Sequence, residues 1–132
     1  MNSLENLLST AYKLYDLANP AKPYCEEYDQ VLKLLERILK VNPKEKKAYS
    51  LRWHIRFLRG DLSGALKDLN EAINIAPENA PALYNRGYLY EHLNKYPEAE
   101  DDFRAALEIA KRRNNENLIH TIEHHIDIDF EN

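Results

Sequence analysis

Ala82-Leu83-Tyr84-Asn85-Arg86-Gly87, then Tyr90, then Asn94-Lys95-Tyr96-Pro97-Glu98-Ala99, Phe103 and Ala106, form the most informative stretch of this chain. Apolar side chains recur in it at three- and four-residue intervals, the spacing of a helix with one hidden face. Asn94-Lys95 interrupts the period. Pro97 restarts it, because a fixed φ and a missing N–H suit the first helical position. Two helices are predicted, over 80–93 and 97–112, joined by a short turn.

Sliding the chain by 34 residues reproduces this stretch without a gap. Tyr49 then meets Leu83, Arg52 meets Arg86, Leu62 meets Tyr96 and Ala65 meets Ala99. Asp68, Leu69, Ala72 and Ile73 fall on Asp102, Phe103, Ala106 and Leu107. Helices are expected over 46–59 and 63–76 around the turn Gly60-Asp61. Pro43 and Pro77 close the second helices, since proline cannot continue the hydrogen-bond ladder. A further copy upstream matches in its second half alone, through Tyr28, Val31, Leu35, Ile38, Leu39 and Val41. A fixed period of this length means stacked supersecondary units.

The pattern resembles the tetratricopeptide repeat family over about 44–110, and more weakly over 26–43. The resemblance implies an all-α superhelix, or solenoid, of about three helix pairs with a C-terminal capping helix. One domain is expected over 1–132: an irregular repeat at about 3–43, repeats at about 46–79 and 80–112, and a cap at about 115–127. That makes seven helices. The small residues Gly87, Ala65, Ala72, Ala99 and Ala106 let helices approach closely. In the cap, Leu118, Ile122 and Ile126 cover the last repeat, while Glu116, His120, Glu123, His124 and Asp127 face water.

Two departures stand out. Trp53 occupies the place of Gly87 one repeat earlier, so the helices there must splay or the indole must turn outward. Asn19-Pro20-Ala21-Lys22-Pro23 is an insertion where a short turn is due, after a long first helix at about 3–18.

Composition narrows the function. The 132 residues are 44% hydrophobic and 30% charged, with three glycines, which suits solvated helices. A net charge of −4 argues against nucleic-acid or anionic-membrane partners, which need a basic footprint. No apolar run approaches the ~20 residues of a membrane span. Met1 to Leu8 lacks the basic flank of a secretory signal. The lone Cys25 excludes an internal disulfide and fits a reducing compartment, so a cytoplasmic location is expected.

Several constellations carry candidate chemistry. Arg52 with Asp68, and Arg86 with Asp102, recur with the period and read as ion pairs that orient the two helices of each hairpin. His120-Thr121-Ile122-Glu123-His124 spells H-x-x-E-H, a form used by one class of zinc hydrolases. A third protein ligand would be needed well downstream of His124 and the chain ends at Asn132, so the motif reads as the polar face of the cap. No catalytic residue, metal or cofactor is expected.

Residues 44–59 hold Lys44, Lys46, Lys47, Arg52, Arg56 and Arg59 against Glu45, while 98–102 and 123–131 are acidic. Lys46, Lys47 and His54 could attract an acidic peptide. The resemblance implies that partners lie along a concave surface lined by the first helix of each pair. By spacing, that surface is Lys47, Ser50, His54 and Phe57, then Pro81, Tyr84, Tyr88 and Glu91, with Tyr12 and Tyr15 as additions from the first helix. Repeats that grip the acidic C-termini of heat-shock chaperones use two lysines, two asparagines and an arginine. Here Asn85 matches one asparagine, but Leu8, Tyr12, Asn115 and Ile119 stand where others are needed, so that clamp is absent.

The expectation is a non-catalytic protein-interaction module, an adaptor or assembly factor binding a peptide or helix of another protein. The alternatives are a self-associating structural protein, hence a homo-oligomer, and a metal-dependent hydrolase at the C-terminal histidines.

Overall fold

The computed structural model describes residues 3–129, with side chains through Ile126. Among them the regular structure is seven α-helices and no strand: α1 Ser3–Leu17, α2 Glu26–Val41, α3 Lys46–Leu58, α4 Leu62–Ile75, α5 Ala80–His92, α6 Tyr96–Arg112 and α7 Glu116–Asp129. Backbone proximity divides the chain into two compact units, Met1–Glu71 and Ala72–Asn132, with the boundary inside α4.

In the first unit, α1, α2 and α3 close around Ala11, Tyr28, Val31, Leu35, Ile38, Ala48, Leu51 and Ile55. The three- and four-residue spacing on α2 puts all its buried side chains on one face. The insertion folds into two successive turns, Lys22 N donating to Asn19 O at 2.8 Å and Cys25 N to Lys22 O at 3.0 Å. Arg59, at the end of α3, holds it from outside. Its Nε donates to Pro23 O at 2.6 Å, its Nη2 to Asp29 at 2.8 Å, and its guanidinium lies 4.7 Å from the centre of the Tyr24 ring. The irregularity of the first repeat is thus a substructure tied to the second.

Each hairpin turn needs a left-handed residue. Gly60 has φ +80°, and Asn94, one period later, has φ +60°. Asparagine tolerates this region better than other side chains, so the period survives the substitution. Asp61 then caps α4, accepting from Gly64 N at 2.9 Å. Asn79 does the same for α5 through Ala82 N at 3.1 Å. Pro97 is the second residue of α6, one place later than the sequence predicts, because Tyr96 already has helical backbone.

In the second unit, Ala80, Leu83, Ala99, Phe103, Ala106 and Ile109 pack with Ile122 and Ile126 of α7. Gly87 permits this closeness: a Cβ there would stand 2.7 Å from the Phe103 ring. At the equivalent place in the first unit, Trp53 is buried, with 8% exposure, so it is a packing residue and does not point outward. Its indole lies 5.5 Å from the His54 ring and 6.0 Å from that of Phe57. One period before Phe103 stands the smaller Leu69.

Candidate interaction surface

The two recurrent Arg/Asp pairs are formed, with unequal geometry. Arg86 makes a two-pronged contact, Nε to Asp102 Oδ2 and Nη2 to Asp102 Oδ1, both at 2.8 Å. The hydrogen bonds to Asp102 hold the Arg86 pKa above its ordinary value. Asp68, 1% exposed, has two arginines: Arg52 Nη2 at 2.8 Å and Arg56 Nη1 at 3.0 Å. Arg56 sits one turn after Arg52 on α3, a spacing that could have revealed it.

The basic run of α3 is therefore largely engaged. Arg52 and Arg56 serve Asp68, and Arg59 serves the insertion. Lys46 and Lys47 remain exposed, as does Ser50, whose hydroxyl donates back to Lys46 O at 3.0 Å. His54 Nδ1 is hydrogen-bonded to the Tyr15 hydroxyl of α1. Burial lowers the His54 pKa and pushes that of Tyr15 up to about 12, with Tyr28 and Asp16 adding to the latter. Two of the expected surface residues thus fasten α1 to α3. Phe57 is half-buried beside Trp53.

In the second unit, Tyr84, Tyr88 and Glu91 occupy successive turns of α5 and converge on one residue that the sequence reading passed over, His125 of α7. Its Nε2 lies 2.6 Å from Glu91 Oε1. Its ring centre is 4.7 Å from Phe103, 5.8 Å from Tyr84 and 6.3 Å from Tyr88. The signal was available: His125 follows Ile122 by three positions and flanks the buried stripe that ends at Ile126.

His125 separates two open clefts. One, of about 760 Å³, is lined by Tyr84 and by Glu116, Asn117, His120, Thr121, His124 and His125 of α7. The other, of about 400 Å³, is lined by Tyr88, Glu91, His92, Tyr96 and His125. His120 and His124 are exposed as expected, but they share a cleft with Tyr84, so α7 is not a separate outer face. No three histidine, cysteine or carboxylate side chains come together to hold a metal among the described residues. Asp127, considered with that pair, lies outside the described side chains.

Comparison with known proteins agrees with this fold. The tetratricopeptide repeat family profile matches residues 80–112, and a second profile for the same repeat matches 54–94. Sperm-associated antigen 1 of Rattus norvegicus is 33% identical over 85 residues, which is 64% of this chain; the chain spans 9% of that protein's length. PcrH, solved with the chaperone-binding region of PopB, superposes with a TM-score of 0.78 at 15% identity, over 92% of this chain and 93% of that one. The second repeat domain of Spaghetti, solved with the HSP90 peptide SRMEEVD, gives 0.61 at 20% identity, over 83% and 99%. At such identities the two structures speak for the fold alone.

Proposed function

Because this chain belongs to the tetratricopeptide repeat family, we propose that it is a non-catalytic protein-interaction module, an adaptor or assembly factor, that binds a peptide or helix of a partner protein. The observation that carries the reading is the cleft where Tyr84 of α5 meets the polar side chains of α7. An aromatic anchor beside donors and acceptors is the arrangement that binding surfaces favour. Tyr84 lines this cleft, and Tyr88 and Glu91, which follow it on α5, line the adjoining smaller one. On α3, the exposed Lys47 and Ser50 are the further candidates, with His54 and Phe57 supporting them from partly buried positions. PcrH and Spaghetti, which share the fold, were each solved with a peptide or region of another protein, which supports a polypeptide ligand. We place the protein in the cytoplasm, on its free Cys25 and on the lack of any described helix long and apolar enough to cross a membrane.

The test is capture of partners from the source lysate by the full chain, followed by titration of each recombinant candidate against the intact protein and the Tyr84→Ala, Tyr88→Ala double variant. Loss of binding in the variant, with helicity retained, supports the surface. Unchanged affinity overturns it. Light scattering at several concentrations accompanies the titration, and a mass that grows with concentration would replace the adaptor reading by self-association.

A further inference from the structure

The five histidines of this chain fall into two groups. His54, His92 and His125 are each hydrogen-bonded inside the fold, to the Tyr15 hydroxyl, the Tyr88 carbonyl and the Glu91 carboxylate. His120 and His124 are exposed, and neither imidazole has a hydrogen bond, ion pair or ring contact among the described residues. Both line the larger cleft. We propose that His120 and His124 are the two protein ligands of a divalent transition-metal ion bound on α7.

Helix geometry supplies the chelate. The two residues stand four apart on the uninterrupted helix Glu116–Asp129, so one imidazole lies above the other on the same face. Histidines at this spacing on a helix can hold a single ion between them. Each ring is free to choose the nitrogen it offers, because no partner in the described fold fixes its tautomer.

The surroundings suit a cation. α7 carries no lysine or arginine, Glu116 lines the same cleft, and Glu123, next to His124, is exposed. Carboxylates on the same helix favour an added positive charge by Coulomb attraction. His125, the next residue, is no ligand, since its Nε2 lies 2.6 Å from Glu91 Oε1 and its ring packs against Phe103. The site therefore has two protein ligands, in keeping with the absence of any group of three among the described residues. A hydrolytic zinc centre uses a third.

Two imidazoles also decide the class of ion. Nitrogen ligands select Cu²⁺, Ni²⁺ and Zn²⁺ over Mg²⁺ and Ca²⁺, which take oxygen. A pair on one helix imposes little geometry, so affinity should follow the intrinsic order, with Cu²⁺ bound more tightly than Ni²⁺ or Zn²⁺. The remaining coordination positions are left to the open cleft beside Tyr84, where water or a partner's side chain can fill them.

The probes are the ions themselves, titrated into the full chain after it has been purified without an affinity tag and dialysed against a chelator. Calorimetry should give one site per chain for Cu²⁺, Ni²⁺ and Zn²⁺, tightest for Cu²⁺, and no binding of Mg²⁺. In a chain carrying ¹⁵N-labelled histidine, Zn²⁺ should shift the His120 and His124 rings together and saturably. The rings of His54, His92 and His125 should stay in place. His120→Ala and His124→Ala should each weaken Zn²⁺ at least ~10-fold, because the second imidazole binds as an intramolecular ligand. Both residues are exposed, and helicity measured alongside checks that the variants stay folded. Parent affinity in either variant, shifts confined to the other histidines, or Mg²⁺ bound as tightly as Zn²⁺ would overturn the proposal. Metal binding is read without a partner, so it stands or falls apart from the interaction surface, which the Tyr84/Tyr88 variant tests.

Discussion

His125 Nε2 and Glu91 Oε1 lie 2.6 Å apart, with 17% and 14% of their side chains exposed, and this contact ties the last helix to the aromatic face of α5. The imidazole also fills the space between Phe103, Tyr84 and Tyr88, so a single side chain joins core, hydrogen bond and both clefts. Its neighbour His124 is exposed. His125→Ala is therefore expected to destabilise the second unit by ~1–3 kcal/mol, since it removes packing and a donor from a mostly buried carboxylate. His124→Ala should stay within ~0.5 kcal/mol of the parent, as for ordinary surface positions. Hydrogen exchange of the α7 amides, measured for both, distinguishes them; equal protection would deny His125 its role.

The two repeated ion pairs predict unequal costs. Arg86→Ala strips Asp102 of both prongs of its two-pronged contact, at an expected ~1–3 kcal/mol for a buried group that loses its ion-pair partner. Arg52→Ala should cost less, because Arg56 still donates to Asp68 at 3.0 Å. Lys111→Ala, on the exposed side of α6, serves as the control. Urea unfolding ranks the three. A melting curve for Arg86→Ala that coincides with that of Lys111→Ala would show the arginine to be dispensable to the fold.

At the helix crossing of the third repeat, Gly87→Ala is expected to destabilise despite alanine's better helix propensity. The new Cβ would stand 2.7 Å and 2.9 Å from two Phe103 ring atoms and 3.1 Å from the Ala99 carbonyl. Overpacking of that kind costs ~1–3 kcal/mol, against ~1 kcal/mol gained from propensity. At the equivalent place, Trp53→Ala should instead leave a cavity and cost ~3–5 kcal/mol. Thermal melts that rise for Gly87→Ala would mean that Phe103 has room to move aside.

These contrasts mark what the sequence makes legible. The 34-residue period exposes α2 to α6, both hairpin turns and both Arg/Asp pairs, while α1 and α7 are legible from the three- and four-residue spacing of their apolar side chains, because each depends on local spacing. It also exposes the irregular first repeat, but not its clamp, since Arg59 reaches Pro23 across 36 positions. The surface is less legible. His54 and Tyr15 read as groove residues by spacing and turn out to bind each other, because a side chain's partner across helices is set by packing that no period encodes. His125 is less legible still, because it directly follows the exposed H-x-x-E-H pair and only its offset from Ile122 marks it as facing inward. The fate of Trp53 is not legible either, since its burial beside His54 and Phe57 is set by packing that the period does not encode.

The Tyr15–His54 contact predicts a stability that falls at both ends of the pH range. Burial lowers the His54 pKa below its ordinary 6.5, so above that value the residue is neutral folded and unfolded alike. As pH falls below 6.5 the unfolded chain takes up the proton first, and stability declines. Tyr15 is raised from 10.0 to about 12, so its contribution is complete below pH 10 and is lost as pH climbs through 12. His54→Gln keeps a hydrogen-bonding group but cannot titrate. The urea midpoints of parent and variant should therefore converge, or change order in the variant's favour, between pH 7.5 and pH 5.5. A constant difference across that interval would contradict the assignment. At the alkaline end, Tyr15→Phe should delete a tyrosinate absorbance step near pH 12.

The last prediction concerns the larger cleft. Truncating Tyr84 and Tyr88 together is expected to weaken a bound partner by at least ~2 kcal/mol, as for central anchors. Both rings also pack against His125, so the loss must be separated from damage to the fold. Asn117→Ala and Thr121→Ala provide that separation: both residues are exposed and line the same cleft without entering the core. The sequence alone places His120 and His124 on a remote face, where their removal would leave binding unchanged. The structure reverses that expectation, since they line the cleft beside Tyr84, and His120→Ala with His124→Ala should weaken binding together with Asn117→Ala. Lys47→Glu, on α3, should chiefly slow association with an acidic partner, by an amount that shrinks as salt is added. Arg104→Ala, exposed on α6 and outside both clefts, is the control expected to bind normally. If the α7 variants bind as the parent does while Lys47→Glu abolishes binding, the ligand lies on α3 and the cleft between α5 and α7 is not its seat.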